Sequence, residues 1–341
     1  MPDAVLPESP GSRARDRREA PRWRRELADA FRDPAELLRF LGLPPDAAPS
    51  RDHGFPLLVP RSFAARMRKR DADDPLLLQV LPRVAESLAV PGFTADPVAE
   101  SAALAAPGLV RKYAGRALVL VTGACAIHCR YCFRREFPYA DAGATRVGVE
   151  AALDAIAADT SVAEVILSGG DPLLADDARL AEIVTRLESL PHVRRLRIHT
   201  RLPVVLPSRV TDGLADLLGG SRLSVVVVVH ANHAAELDAD VAAALGRLAA
   251  ARCLLLNQAV LLAGVNDSAA ALRDLSERLV DVGVLPYYLH LLDRVRGAAH
   301  FEVPEPRALE LHRALRDSLP GYAVPRLVRE VPGEPAKTWL A

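Results

Sequence analysis

From residue 117 onward, apolar runs rich in leucine, valine and isoleucine recur at 117–122 (ALVLVT), 163–168 (AEVILS), 194–199 (RRLRIH), 223–229 (LSVVVVV), 253–260 (CLLLNQAV) and 286–291 (PYYLHL). Each is strand-sized, and most read as continuous rather than alternating, the pattern of a strand covered on both faces. Helical periodicities lie between and after them, at about 148–158, 177–189, 208–218, 234–250, 268–282 and 304–318. Six strand–helix units with no hairpin signal predict an α/β protein with a parallel sheet and helices outside, either a partial (β/α) barrel or a doubly wound sheet. In both architectures the working residues stand at the C-terminal ends of the strands.

Ahead of these units the pattern is different. Residues 1–20 are charged and read as a disordered leader. An amphipathic helical pattern runs from Trp23 to about Leu41, interrupted at Asp33-Pro34 and stopped by Gly42 and Pro44-Pro45. Residues 59–70 (VPRSFAARMRKR) predict a second short helix, and another is expected near 75–88 in an otherwise irregular, proline-punctuated stretch. The expected organisation is a leader over 1–20, a helical and irregular extension over 21–110, and the strand–helix domain over 111–341.

Charge narrows the partners. Lys plus Arg equals Asp plus Glu at 43 each, so no basic footprint for nucleic acid or anionic membrane is present. No apolar run reaches the ~20 residues of a membrane span and no signal-peptide core precedes residue 25, so a cytoplasmic protein with reduced thiols is expected. A small-molecule site is the natural expectation. Only three of the 43 basic residues are lysine, Lys69, Lys112 and Lys337, and lysine alone among the strong bases forms a Schiff base.

The polar residues collect after the strands: Cys125, Cys129 and Cys132 after the first, Ser168, Gly169, Gly170 and Asp171 after the second, His230 after the fourth, Gln258 late in the fifth and Asp293 after the sixth. Three of the four cysteines fall within eight positions, as CAIHCRYC. A structural zinc site wants four ligands; Cys253 opens an apolar strand and reads as core, and His128 would serve only with strain. A disulfide relay leaves one thiol over, and a chance cluster of thiols is the bland alternative. An iron–sulfur cluster held by three thiolates, with one iron open, fits both the spacing and the position after the first strand.

CAIHCRYC resembles the CxxxCxxC motif of the radical S-adenosylmethionine (SAM) enzymes, which bind a [4Fe-4S] cluster and chelate SAM at its open iron. The resemblance implies a partial (β/α)6 radical SAM barrel with an N-terminal helical extension. SGGDPL, residues 168–173, resembles the family's glycine-rich segment, and Ser168, Gly169, Gly170, Asp171, His230 and Gln258 are then expected at SAM, the last two by similarity to the lysine 2,3-aminomutase branch. VREVPGEPAKTWLA resembles the aminomutases' C-terminal motif, which makes Lys337 the expected Schiff-base residue for pyridoxal 5′-phosphate (PLP). Lys112, Tyr113 and Arg116 are expected around its phosphate, with Lys112 where the aminomutases commonly have Arg. Arg134 is implied for the substrate α-carboxylate, and Asp293 and Glu330 for its distal ammonium; the free-lysine enzymes carry Asp at position 330.

The segment CRYCFRREFPY and the turn PGEPAK resemble the short form of the family, which supplies β-lysine for modifying translation elongation factor P. Ser268 also stands where the longer catabolic enzymes have a zinc-binding cysteine. What the resemblance implies is an isomerase that moves the α-amino group of L-lysine to Cβ, giving (R)-β-lysine. Reduced flavodoxin or ferredoxin would be the electron donor, and elongation factor P with its lysyl-transferring ligase the downstream partners. The alternatives are an aminomutase serving catabolism or another amino acid, and a non-enzymatic iron–sulfur or zinc sensor.

Overall fold

The computed structural model describes residues 20–45 and 54–341, so the leader expected at 1–20 lies outside the described residues apart from Ala20. Ten strands form one sheet in chain order: β1 Leu104–Ala106, β2 Leu109–Val110, β3 Arg116–Thr122, β4 Glu164–Gly169, β5 Arg195–Thr200, β6 Ser224–Val229, β7 Leu254–Val260, β8 Leu285–His290, β9 Arg326–Arg329 and β10 Thr338–Trp339. Neighbours from β3 to β9 pair in parallel, while β1–β2, β2–β3 and β9–β10 are antiparallel. The six expected strands are present with boundaries within one residue, and β9 adds a seventh parallel strand that the sequence pattern did not show. β1 and β10 are the two edges of the sheet. The wall is therefore an open, partial barrel.

The helices of seven residues or more among the described residues are α1 Arg22–Ala28, α2 Pro34–Leu41, α3 Arg146–Ala158, α4 Asp177–Glu188, α5 Asp212–Gly219, α6 Ala239–Ala250, α7 Ala269–Asp281 and α8 Glu305–Ser318. Five of the six outer helices start where a side-chain oxygen can take up an unpaired backbone N–H: Thr145, Asp176, Thr211, Asp238 and Ser268 accept from Gly148, Arg179, Leu214, Val241 and Ala271. Each cap fixes where a strand's connecting loop ends. The helical pattern expected over 234–250 divides at such a cap: Ala234–Glu236 is a separate 3₁₀ turn, and Asp238 caps α6, which begins at Ala239.

In the extension, the 23–41 pattern splits at Asp33-Pro34 as expected, with Gly42 at φ 72 closing α2. The helix expected over 59–70 contracts to Arg61–Ala64. Beyond it the backbone bonds tighten to three-residue spacing (Arg66 N to Phe63 O, Met67 N to Ala64 O), the Asp74 carboxylate captures Arg68 N, and Arg70 turns to φ 59. Near 75–88 the chain makes only Pro75–Leu78 and the 3₁₀ turn Val84–Ser87.

One hydrophobic core runs from Trp23 in α1 through Phe31, Phe63, Leu76 and the barrel strands to Leu327 in β9. The extension is thus packed into the same apolar mass as the barrel. Among the described residues no helix is long and apolar enough to cross a membrane. Phe63 is fully buried in this shared core, so Phe63→Ala is expected to cost about 3–5 kcal/mol. Urea unfolding followed by circular dichroism should show one transition, displaced to lower denaturant, for extension and barrel together.

Candidate active site

After Thr122 at the end of β3 the chain runs without helix or strand to Thr145, and this loop carries the three cysteines. Its start is pinned to the end of β4: Gly170 N donates to Thr122 O at 2.7 Å and Asp171 N to Ala124 O at 2.8 Å. A Cβ on Gly169, whose φ is 117, would stand 2.3 Å from Thr122 O, and one on Gly170 would stand 2.1 Å from Ala124 O. The two glycines are therefore required by the approach of one backbone to another. Asp171 lies deep beneath them; its carboxylate accepts from Thr200 Oγ1, Leu173 N, Arg201 N and Leu202 N, tying the SGGD turn to the end of β5. Burial pushes its carboxyl up to about 6 against those donors.

The loop's far side rests on the extension. His128 N donates to Leu58 O at 3.0 Å and Arg130 N to Gln79 O at 2.8 Å. His128 Nδ1 lies 2.8 Å from Pro56 O and its ring stacks on Phe55, which engages one nitrogen and one face of the imidazole. Cys253 is a buried core residue at the foot of β7. Cys125, Cys129 and Cys132 line the cavity, and burial pushes the Cys125 thiol well up and the Cys132 thiol to about 11. Among the described residues no three His, Cys, Asp or Glu side chains converge on one ion. A closed structural zinc site takes four donors, and the three thiols of this loop are one short of that set.

All sixteen residues singled out in the sequence line one cavity of about 620 Å³ within the barrel mouth. At its C-terminal corner, Glu330 after β9 takes Lys337 Nζ on one carboxylate oxygen, and on the other Tyr113 OH at 2.6 Å and Lys112 Nζ at 3.5 Å. Burial opposes its ionisation, but Lys337, Tyr113 and Lys112 together hold the carboxyl below the usual range. Lys112 also donates to Val98 O at 3.0 Å, and the Arg116 guanidinium lies 4.8 Å over the Tyr113 ring. Asp293 is part-buried in the cavity wall; desolvation pushes it up to about 7, with Lys337 pulling down and Glu330 and Glu100 pushing up.

Opposite, the Arg134 fork is filled. Glu100 accepts from its Nε and Nη2 at 2.6 Å each, and Nη1 donates to Ser168 Oγ and Gly169 O, both at 2.9 Å. His230 Nε2 lies 3.0 Å from Tyr131 OH, and burial, reinforced by Arg201, lowers its pKa to about 3. Gln258 stands where β7 loses register with β8, an irregularity of the kind that re-aims a side chain.

Several lining residues were not foreseen: Glu100, Tyr131, Tyr139, Arg197, His199, Arg201 and His290. Nε2 of His199 and of His290 is buried without a hydrogen-bond partner, and burial keeps both rings neutral. RRLRIH carried a signal for two of them, since arginine and histidine at alternate positions of an otherwise buried strand must point to one face, the barrel interior.

The radical SAM superfamily pattern matches residues 119–234. The chain is 48% identical over 322 residues to the L-lysine 2,3-aminomutase of Escherichia coli (strain K12), covering 93% of this chain and 94% of that one. With the L-lysine 2,3-aminomutase of Haemophilus influenzae the identity is 45% over 340 residues, 99% of each chain. This chain belongs to the radical SAM L-lysine 2,3-aminomutase family. The family is one of isomerases, and its radical SAM character implies a [4Fe-4S] cluster and SAM. With the L-lysine 2,3-aminomutase of Clostridium subterminale the identity is 37% over 269 residues, 79% of this chain and 64% of that one.

The glycine contacts give a test of the loop's construction. Gly170→Ala puts a methyl group 2.1 Å from Ala124 O and must push the cysteine loop from β4. Iron bound per chain after anaerobic reconstitution should fall several-fold, while far-ultraviolet circular dichroism stays that of the parent.

Proposed function

We propose that this chain converts L-lysine into (R)-β-lysine, which a lysyl-transferring ligase attaches to elongation factor P. The observation that carries the reading is that three thiols, Lys337 and the acids Glu330 and Asp293 line one cavity. Cys125, Cys129 and Cys132 would hold the [4Fe-4S] cluster; Ser168, Gly169, Gly170, Asp171, His230 and Gln258 would surround SAM; Lys337 would hold PLP, with Lys112, Tyr113 and Arg116 near its phosphate. When bound, the cluster and SAM supply a radical that removes hydrogen from carbon, and PLP supplies the conjugated system through which an amino group passes to the neighbouring carbon.

The residues' own work is binding, orientation and proton management. Lys337 is ion-paired with Glu330, and the amine must leave that partner and lose its proton before it can bond a carbonyl. Arg134 offers a planar fork suited to a carboxylate, provided the incoming group displaces Glu100. Asp293 and Glu330 face the distal end of the substrate, where two carboxylates favour an ammonium over an acid or an amide. Cavity walls of Val228, Val260, Leu292 and Ile166 restrict water beside them. The match over 94% and 99% of the Escherichia coli and Haemophilus influenzae enzymes, against 64% of that of Clostridium subterminale, supports the short-form reading, on which the elongation factor P role rests. Reduced flavodoxin or ferredoxin would supply the electron, in the cytoplasm.

Anaerobic incubation of reconstituted protein with lysine, SAM, PLP and dithionite should yield β-lysine in large excess over 5′-deoxyadenosine by chiral mass spectrometry. Cys129→Ala should cleave no SAM, and Lys337→Ala should retain slow cleavage without β-lysine; a full cluster that yields no β-lysine would sink the assignment. Adding elongation factor P and its ligase should move the (R) product onto the factor, and failure there would leave only the pathway open.

The elevated Asp293 carboxyl predicts a pH dependence with a definite sign. Below a pH of about 7 the group takes up a proton and loses the charge that an ammonium needs. KM for lysine should therefore rise as pH falls below that value, by up to about tenfold per pH unit. Asp293→Asn should raise KM throughout and flatten the profile in steady-state assays.

A further inference from the structure

Arg201 directly follows β5, and none of the roles above uses it. Its side chain is 7% exposed and is gripped from both ends of its fork. Nη1 donates to Cys129 Sγ at 2.7 Å, while Nη2 donates to Gln79 Oε1 at 2.7 Å and to Glu236 Oε2 at 2.9 Å. Glu236 is itself fixed, accepting from Gln79 Nε2, Asn232 N and His233 N at 3.1, 2.9 and 3.2 Å. Gln79 Oε1 also receives Asn232 Nδ2 and Tyr131 OH. The main chain at Arg201 is held by the Asp171 carboxylate. The rings of Phe63 and Tyr131 flank the guanidinium at 5.4 and 5.8 Å and keep water from its faces. Rotating this guanidinium away from Cys129 would break several buried hydrogen bonds, each costly to leave unmade.

We propose that Arg201 is a positioning residue of the iron–sulfur centre: it holds the Cys129 sulfur through an N–H to sulfur bond and sets the reduction potential by keeping a buried positive charge against one ligand of the cluster. The proposal rests on the reading that the three cysteines hold that cluster. An electron added to the cluster makes it more negative, so a fixed cation and a donated hydrogen bond stabilise the reduced state more than the oxidised one. In a dry interior that preference is weakly screened. Glu236 works in the opposite sense, because its carboxylate cancels part of the field of Arg201. Two neighbouring residues should therefore move the potential in opposite directions, an outcome that mere loss of packing does not produce.

The test is an electron-paramagnetic-resonance-monitored redox titration with dithionite of the full chain, reconstituted anaerobically without SAM or lysine. Its readout belongs to the cluster alone, so it stands whichever amino acid is the substrate. Arg201→Gln should shift the midpoint to more negative potential, lowering the ratio of reduced to oxidised cluster at a fixed potential by about tenfold, which is ~59 mV for a one-electron couple. Arg201→Lys, which keeps the charge but not the fork, should fall between this variant and the parent. Glu236→Gln, which keeps an acceptor but removes the charge, should shift the midpoint to more positive potential. An unchanged midpoint in Arg201→Gln with full iron content, or shifts of the same sign in both Gln variants, overturns the proposal. If Arg201→Gln retains no iron, Glu236→Gln decides alone: an unmoved or more negative midpoint overturns it. A wild-type chain that assembles no cluster overturns this proposal together with the reading beneath it.

Discussion

Four guanidinium groups are buried around the cysteine loop, and three carboxylates from other parts of the chain pair with them, one of the three shared between two arginines. Glu86 in the extension pairs with both Arg130 and Arg135, Glu100 pairs with Arg134, and Glu236 beyond β6 pairs with Arg201. A loop with no helix or strand of its own has few backbone bonds to hold it, so these pairs and the glycine contact with β4 set its position. Such pairs add little net stability relative to an apolar core of the same shape, but removing one partner strands a buried charge at a cost of about 3–5 kcal/mol. They act as register pins. The alternative placements of the loop are penalised, because each would bury a cation without its acid.

The same arrangement explains why the extension belongs to the site rather than beside it. Gln79, Glu86 and Glu100 all precede the barrel, and they reach Arg201, the Arg130–Arg135 pair and Arg134 respectively. Packing in the shared core brings them within reach, and the carboxylates then specify how the loop sits. Within the cavity the charges are likewise paired internally, Lys337 and Lys112 with Glu330 and Arg134 with Glu100. A ligand that carries both a carboxylate and ammonium groups can enter by exchanging partners in these pairs, without leaving a charge unpaired in a region of low dielectric.

Most of the parallel strands before β9 were legible because a strand covered on both faces is apolar along most of its length, and each begins and ends within a residue of that run. β9 was not legible: Arg326–Arg329 offers two apolar residues between arginines, and it is held as a strand by its pairing with β8. The convergence of the cysteines, the SGGD turn, His230, Gln258 and Asp293 was legible from topology alone, since parallel strands point all their C-terminal ends to one mouth. What was not legible was the use of their polar atoms. Asp171 spends its carboxylate on the end of β5, the glycines are demanded by the chain's own backbone, and the Arg134 fork holds Glu100. These partners come from segments about 30 residues or more away in the chain and leave no periodic trace.

Lys337 shows the same limit most clearly. The tail that carries it folds back on β9, with Thr338 opposite Arg329, Trp339 opposite Val328, and Leu340 N donating to Leu327 O at 2.9 Å. The strand invisible in the sequence is therefore what receives the terminal segment, and it also delivers Glu330, one residue past its end, to meet the lysine. One short strand fixes both members of the ion pair across a hairpin whose turn, residues 331–336, is mostly exposed. A change of partner at Glu330 is then a local side-chain event that leaves the pairing of β10 with β9 intact.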